Sequence, residues 1–190
     1  MDRASLCIPY VHYGEQSAFA RLRRRRPSAR LLVAGPSQRL GLPPGAEQLG
    51  PVPESRLEDL FARATVFALP SLREPFGIAF LDAMACGVPC VGKLLEAMPE
   101  IVDDGLTGLL VPPADAAALV EVLERLLAAP SRARRMGDLG RARVLARFTW
   151  ALVAQRLSGL LLASVRKAHT ARLPPAWDTR ATRSLSRSEH

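Results

Sequence analysis

Between residues 30 and 111 the sequence repeats one phrase: a short apolar run, a stop made of Gly or Pro, then a stretch whose apolar residues recur every three or four positions. Arg30–Ala34 is closed by Gly35-Pro36, Thr65–Leu69 by Pro70, and Gly108–Val111 by Pro112-Pro113. Apolar runs this short, bounded by turn residues, read as buried strands. Strands alternating with helical periods are the pattern of a parallel sheet covered by helices. The expected fold class is therefore α/β, a Rossmann-like parallel sheet flanked by helices.

The spacing predicts a helix over Gln16–Arg26, ended by Pro27, and a weak strand over Glu47–Val52 after a Gly- and Pro-rich loop. Leu57, Leu60 and Phe61 share one face of a helix over Glu54–Ala64. A helix follows over Gly77–Cys86, then a strand over Pro89–Gly92 and a helical turn over Pro99–Val102. Beyond Pro113 the pattern becomes helical throughout. Asp115 is placed to cap a helix whose stripe includes Leu119, Val122, Leu123, Leu126 and Leu127. Pro130 is expected to end it, Ser131 to cap the next helix to about Phe148, and Thr149 to cap a last one to about Lys167. Residues 1–30 read as a short strand and helix segment, with Leu6–Val11 as a remnant of the first strand. Residues 31–168 read as the main domain, and residues 169–190 as a disordered basic tail.

The net charge of +8 sits at the two ends. Residues 1–30 hold seven basic and two acidic residues, residues 165–190 six and two, and residues 31–164 thirteen and fourteen. A nucleic-acid surface combines a basic face with stacking aromatics. Aromatics are 5% here and the middle of the chain is neutral, so no nucleic-acid partner is expected. The basic ends allow at most peripheral contact with an anionic membrane. The apolar runs Ala114–Val120 and Leu157–Val165 are too short or interrupted to span a bilayer, and the first residues do not resemble a secretory leader, so a cytoplasmic location is expected. Three cysteines, Cys7, Cys86 and Cys90, fit reduced thiols, with Cys86 and Cys90 as small side chains at a helix–strand junction. Three histidines, two of them in the tail, assemble no zinc set, so no metal and no cofactor are expected.

The chemistry concentrates after the strand Thr65–Leu69. Gly77 permits close backbone approach at a helix start, and the amides of that first turn form an anion site suited to a phosphate. Glu74 and Asp82 flank it, and carboxylates beside a phosphate turn are suited to accept hydrogen bonds from sugar or ribose hydroxyls. Read singly, Asp82 is equally well a solvated helix residue. Met84 reads as core, Glu96 and Glu100 as a surface pair at a helix start, and Arg132, Arg134, Arg135, Arg141 and Arg143 as a solvated helix face.

The series Glu74-Pro75-Phe76-Gly77, then Asp82-Ala83-Met84-Ala85-Cys86-Gly87-Val88-Pro89, then Pro99-Glu100-Ile101-Val102-Asp103-Asp104-Gly105 through Pro113 resembles the donor-binding half of retaining GT-B glycosyltransferases of family four, the group 1 glycosyl transferases. The resemblance covers about Leu31 to Leu157. It implies that Glu74, the catalytic-site carboxylate, binds donor-sugar hydroxyls. It further implies that Phe76, Gly77, Ile78 and Ala79 hold the diphosphate, that Asp82 holds the ribose, and that the base lies near Val52 and Pro53. The implied partner is a nucleotide-sugar, whose sugar would pass with retention to an acceptor hydroxyl once an acceptor domain, in the same or a second polypeptide, supplies the opposite wall. The helix from Thr149 resembles the segment that crosses back to that domain.

Two departures stand out. The second carboxylate is Asp82, where the pattern has Glu. The Arg–Lys pair that neutralises the diphosphate has no clear equivalent, Arg39 and Arg73 being the nearest basic residues, and each reads as a surface residue. His12 reads as structural or exposed. The isolated chain is expected to transfer no sugar, and the alternative reading is a non-catalytic nucleotide-binding or scaffold domain from a truncated glycosyltransferase. A phosphosugar epimerase of the same architecture fits less well, since its catalytic residues are not recognisable.

Overall fold

A computed structural model describes residues 5–8, 13–35, 37–70 and 74–170, without the side chains of 5–8, 13–15, 169 and 170. It divides into two units, residues 1–148 and residues 149–190.

The first unit is built on six parallel strands: β1 (Ser5–Ile8), β2 (Arg30–Ala34), β3 (Ala46–Gly50), β4 (Val66–Leu69), β5 (Cys90–Lys93) and β6 (Gly108–Val111). Their spatial order is β3-β2-β1-β4-β5-β6. The order reverses between β1 and β4, and in open parallel sheets ligands sit outside the carboxyl ends of the strands at such a reversal.

Side chains of successive strand residues face opposite sides. Val66 and Ala68 of β4 therefore join one core with Leu31, Val33, Val91 and Leu109, while Phe67 and Leu69 join the other. The first core is covered by α1 (Tyr13–Arg25) through Ala18, Phe19 and Leu22, and by α5 (Ala116–Ala128) through Leu119, Leu123 and Leu126. The second is covered by α2 (Glu54–Arg63), α3 (Ile78–Ala85) and α4 (Met98–Ile101). Phe67 stands edge-on to Phe61 of α2 and to Phe80 of α3, with ring centres 5.6 and 5.3 Å apart. This aromatic row fixes both helices against β4. α6 (Pro130–Arg147) contributes Ala133 and Met136 to the first core and Val144 to the second.

Several expectations need correction. The boundary at residue 30 does not exist in the fold. β1 is hydrogen-bonded on both sides, to β2 and β4, and Leu22 is fully buried, so β1 is an inner strand of the sheet and α1 packs into its core. α5 ends at Ala128, ahead of Pro130 as expected, but Pro130 itself begins α6, where its lack of an amide proton is harmless, and Ala129 is the cap residue in place of Ser131. Asp115 caps α5 as expected, accepting from the amides of Ala117 and Ala118 at 3.0 and 2.8 Å.

The second unit contains α7 (Trp150–Thr170), which passes residue 168, the expected end of the domain. Thr149 accepts the Leu152 amide at 3.4 Å through its hydroxyl. Trp150, Leu157, Leu160, Leu161, Leu162 and Val165 are all exposed. Against the expectation that no apolar stretch reaches membrane-spanning length, one stretch passes on length and composition. Between Pro130 and Ala168 there is an 18-residue window of mean hydropathy 1.3. The expected tail from residue 171 onward lies outside the described residues.

Candidate functional site

The turn between β4 and α3 lies at the carboxyl end of the strand beside the order reversal. Gly77 caps α3 with φ 82° and ψ 37°, a left-handed conformation open to glycine at little cost. A β-carbon there would also stand 2.5 Å from Met98 Cε and 2.8 Å from Ile101 Cδ1. The turn is thus pressed onto α4, and glycine meets both demands. The Gly77 carbonyl accepts the amides of Phe80 and Leu81, which leaves the Ile78 and Ala79 amides ahead of the first helical bond, with no side-chain cap.

Six of the eight expected site residues share this turn. Glu74 is half-buried, and its Oε1 accepts the Gly77 amide at 2.9 Å. One amide expected to face a diphosphate is therefore engaged by the neighbouring carboxylate. Phe76 and Ile78 are 61% and 63% exposed, side chains turned outward while their backbone forms the turn. Ala79 is half-buried. Asp82, one turn into α3, is exposed. Partial desolvation, and then the charge of Glu54, hold its carboxyl above the usual carboxylate range. Glu54 opens α2, directly after Val52 and Pro53. Those two residues line a cavity of about 260 Å³ with Arg30, Glu47 and Arg56. Helices α2 and α3 touch, and the charge of Glu54 at the start of α2 reaches Asp82 of α3.

The sequence reading missed three residues here. Glu96 is no idle surface acid: its Oε2 accepts the backbone amide of Glu74. Arg143 is not part of a solvated face. Its side chain is 16% exposed, and it donates to the carbonyls of Ile101 and Glu100, each at 2.8 Å, tying α6 to the end of α4. Lys93, the last residue of β5, is the buried charged residue among those described. Extending the Leu69–Gly92 register by one residue sets it across from Pro70, at the end of β4. None of the three carries a local motif that announces it.

Other expectations stand as follows. Met84 is fully buried, as a core residue. Cys90 is buried, and burial pushes its thiol far above the ordinary range. Cys86 is half-buried and also raised, by desolvation first and then by the carboxylates of Glu58 and Asp82. Arg39 is exposed, while Arg73 and His12 lie outside the described residues. Among the described residues no three metal-ligating side chains cluster. A second cavity, of about 490 Å³, adjoins the turn and is lined by Phe76, Glu96, Glu100 and Phe148. A larger one, about 760 Å³, lies at the opposite, amino-terminal edge of the sheet between Arg26, Arg63 and Arg134. Arg26 there donates to the Leu127 carbonyl at the end of α5, so this basic region serves helix carboxyl ends, away from the strand ends where ligands sit.

The chain is 39% identical over 147 residues to the MMP alpha-(1->4)-mannosyltransferase of Mycolicibacterium hassiacum, a match covering 72% of this chain and 36% of that protein. It is 40% identical over 111 residues to the alpha-maltose-1-phosphate synthase of Mycolicibacterium smegmatis, covering 55% of this chain and 29% of the relative. The chain thus spans about a third of the length of these relatives. Among solved structures, sucrose-phosphate synthase from Thermosynechococcus elongatus superposes with a TM-score of 0.76 at 29% identity, over 88% of this chain and 46% of that one. Anabaena HepE, solved with UDP and glucose, superposes with a TM-score of 0.75 over 85% of this chain and 49% of its own. At 20% identity that likeness concerns the fold, one Rossmann-like half of a GT-B architecture. Residues 16–143, nearly the whole of the first unit, match the family described as Glycosyl transferases group 1, and the chain belongs to that family.

Proposed function

We propose that this domain binds a nucleoside-diphosphate sugar at the α3 turn and serves as the donor half of a retaining glycosyltransferase. The observation that carries the reading is the α3 start itself: the Ile78 and Ala79 amides without a side-chain cap, flanked by Glu74 and Asp82, at the carboxyl end of β4 beside the strand-order reversal. Helix amides and the helix dipole favour an anion there. Asp82, one turn on and within reach of the charge at the start of α2, suits ribose hydroxyls, with the base against Val52 and Pro53. Glu74 suits the hydroxyls of the sugar.

In the proposed reaction the bond between the anomeric carbon and the diphosphate oxygen breaks. A new bond forms to an acceptor hydroxyl oxygen on the same face of the sugar, and the hydroxyl proton passes to the leaving diphosphate. The domain's share is to hold the donor and stabilise the charge that develops on the leaving diphosphate. The acceptor must be held from the other side, by a further domain or a second polypeptide, in a cleft that excludes water. The reaction as proposed needs no metal, and a cytoplasmic setting fits it.

Titration calorimetry of the chain with uridine and guanosine diphosphates tests the reading. Binding of one of them, weakened in Asp82→Asn, is expected. Absence of heat with both, on folded protein, refutes it.

A further inference from the structure

Glu96 has φ 52°, a left-handed conformation that a residue bearing a β-carbon adopts against its own preference. Among the described residues, Ala114 is the other non-glycine with positive φ. Glu96 is exposed, so burial of its side chain does not account for the conformation. Strain of this kind persists where the surroundings enforce it, and it is concentrated at functional sites.

What the conformation delivers is a contact. The Glu96 carboxylate accepts the backbone amide of Glu74, 22 positions away in the chain, and so ties the β5–α4 loop to the donor turn. Its own loop is held firmly. The Leu94 amide donates to the Val111 carbonyl and the Leu95 amide to the Lys93 carbonyl, each at 2.8 Å, and Arg143 holds the end of α4 from the other side. Glu74 then bends back so that Oε1 meets the Gly77 amide. Glu74 is thereby held at two points: its backbone amide by the Glu96 carboxylate, and its side-chain carboxylate by the Gly77 amide.

We infer that Glu96 is a positioning residue: it holds the Glu74 backbone so that the Glu74 carboxylate can meet the sugar of a nucleotide-sugar. This rests on the reading of the α3 turn given above. Glu96 acts through Glu74, not on the phosphates, so its loss is felt by the sugar part of the ligand and spares the nucleotide part. Its strained backbone makes a further demand. Removing Glu96 in favour of glycine relieves the left-handed conformation while it breaks the tie, so stability and sugar recognition move in opposite directions.

The test compares Glu96→Gly and Glu96→Gln with the unaltered chain. Calorimetry measures affinities for UDP against UDP-glucose, and for GDP against GDP-mannose, and thermal unfolding is recorded alongside. Glu96→Gly is expected to melt at or above the unaltered chain and to bind the nucleoside diphosphates within about twofold. It should lose about tenfold of the extra affinity that the sugar confers, as for one hydrogen bond to a charged group. Glu96→Gln keeps an acceptor oxygen at the same reach and should retain most of that extra affinity. The inference is overturned if Glu96→Gly weakens diphosphate and sugar-nucleotide binding in parallel, if it lowers the melting temperature and leaves the sugar's contribution intact, or if Glu96→Gln loses as much as Glu96→Gly. Failure of the unaltered chain to bind any of the four ligands defeats the reading of the site, and this inference with it, a result distinct from binding in which the variants show no selective loss.

Discussion

Gly137 of α6 lies against the carbonyl of Gly87, the residue that turns the chain out of α3, so closely that a β-carbon on Gly137 would collide with that oxygen. α6 and the exit of α3 are in backbone contact, and α3 is thereby held at its carboxyl end while Phe67 and Phe80 hold it against the sheet. Gly137→Ala offers no flexible side chain that could move aside. It should destabilise the first unit by about 3 kcal/mol or more, in the upper range for overpacking. Thermal or urea unfolding checks this, and a loss below about 1 kcal/mol would show that α6 can shift freely.

Gly77→Ala tests the other end of α3. Its β-carbon meets the ends of two side chains, Met98 and Ile101, which can yield, but the backbone remains left-handed at φ 82°. The expected loss is about 1–3 kcal/mol, smaller than for Gly137→Ala. Because the capping conformation presents the Ile78 and Ala79 amides, nucleoside-diphosphate affinity should fall along with it. Full affinity in a folded Gly77→Ala variant would count against the turn as the anion site.

Asp82 provides a pH-dependent test. Its carboxyl is raised, first by desolvation and then by Glu54, so the folded chain binds this proton more tightly than the unfolded chain does. By linkage, Asp82 works against folding at neutral pH. That penalty fades as pH falls through the raised folded value and is absent below the ordinary carboxylate value. Asp82→Asn should therefore melt slightly higher than the unaltered chain at pH 7, and the difference should vanish near pH 3. The exposed position keeps the gain small. If Asp82 holds ribose, the same variant weakens nucleotide binding by about 1–3 kcal/mol. Lower stability at pH 7 with unaltered affinity would identify a structural carboxylate instead.

The amino-acid sequence by itself determined the elements and the turn. Apolar runs and helical periods marked β2, β4, β5 and β6 and the helices between them, because those signals depend on neighbours within one or two turns of chain. Gly77 at a helix start and Asp115 as a cap were legible for the same reason, since a cap bonds amides two or three residues away. The ordered series from Glu74 to Pro113 pointed to the family that the comparison supports. Tertiary structure decided the rest. It set β1 in the middle of the sheet, although its short apolar run near the chain start looks like an appendage. It withdrew Arg143 from solvent to serve carbonyls 42 and 43 positions away, and it placed Glu54 near enough to act on Asp82. It joined Glu96 to Glu74 through a backbone conformation that no local preference favours. Each of these is a polar or backbone contact between segments remote in the chain. Such contacts leave no period in the sequence, and they exist only once the apolar faces have packed and fixed the loops that carry them.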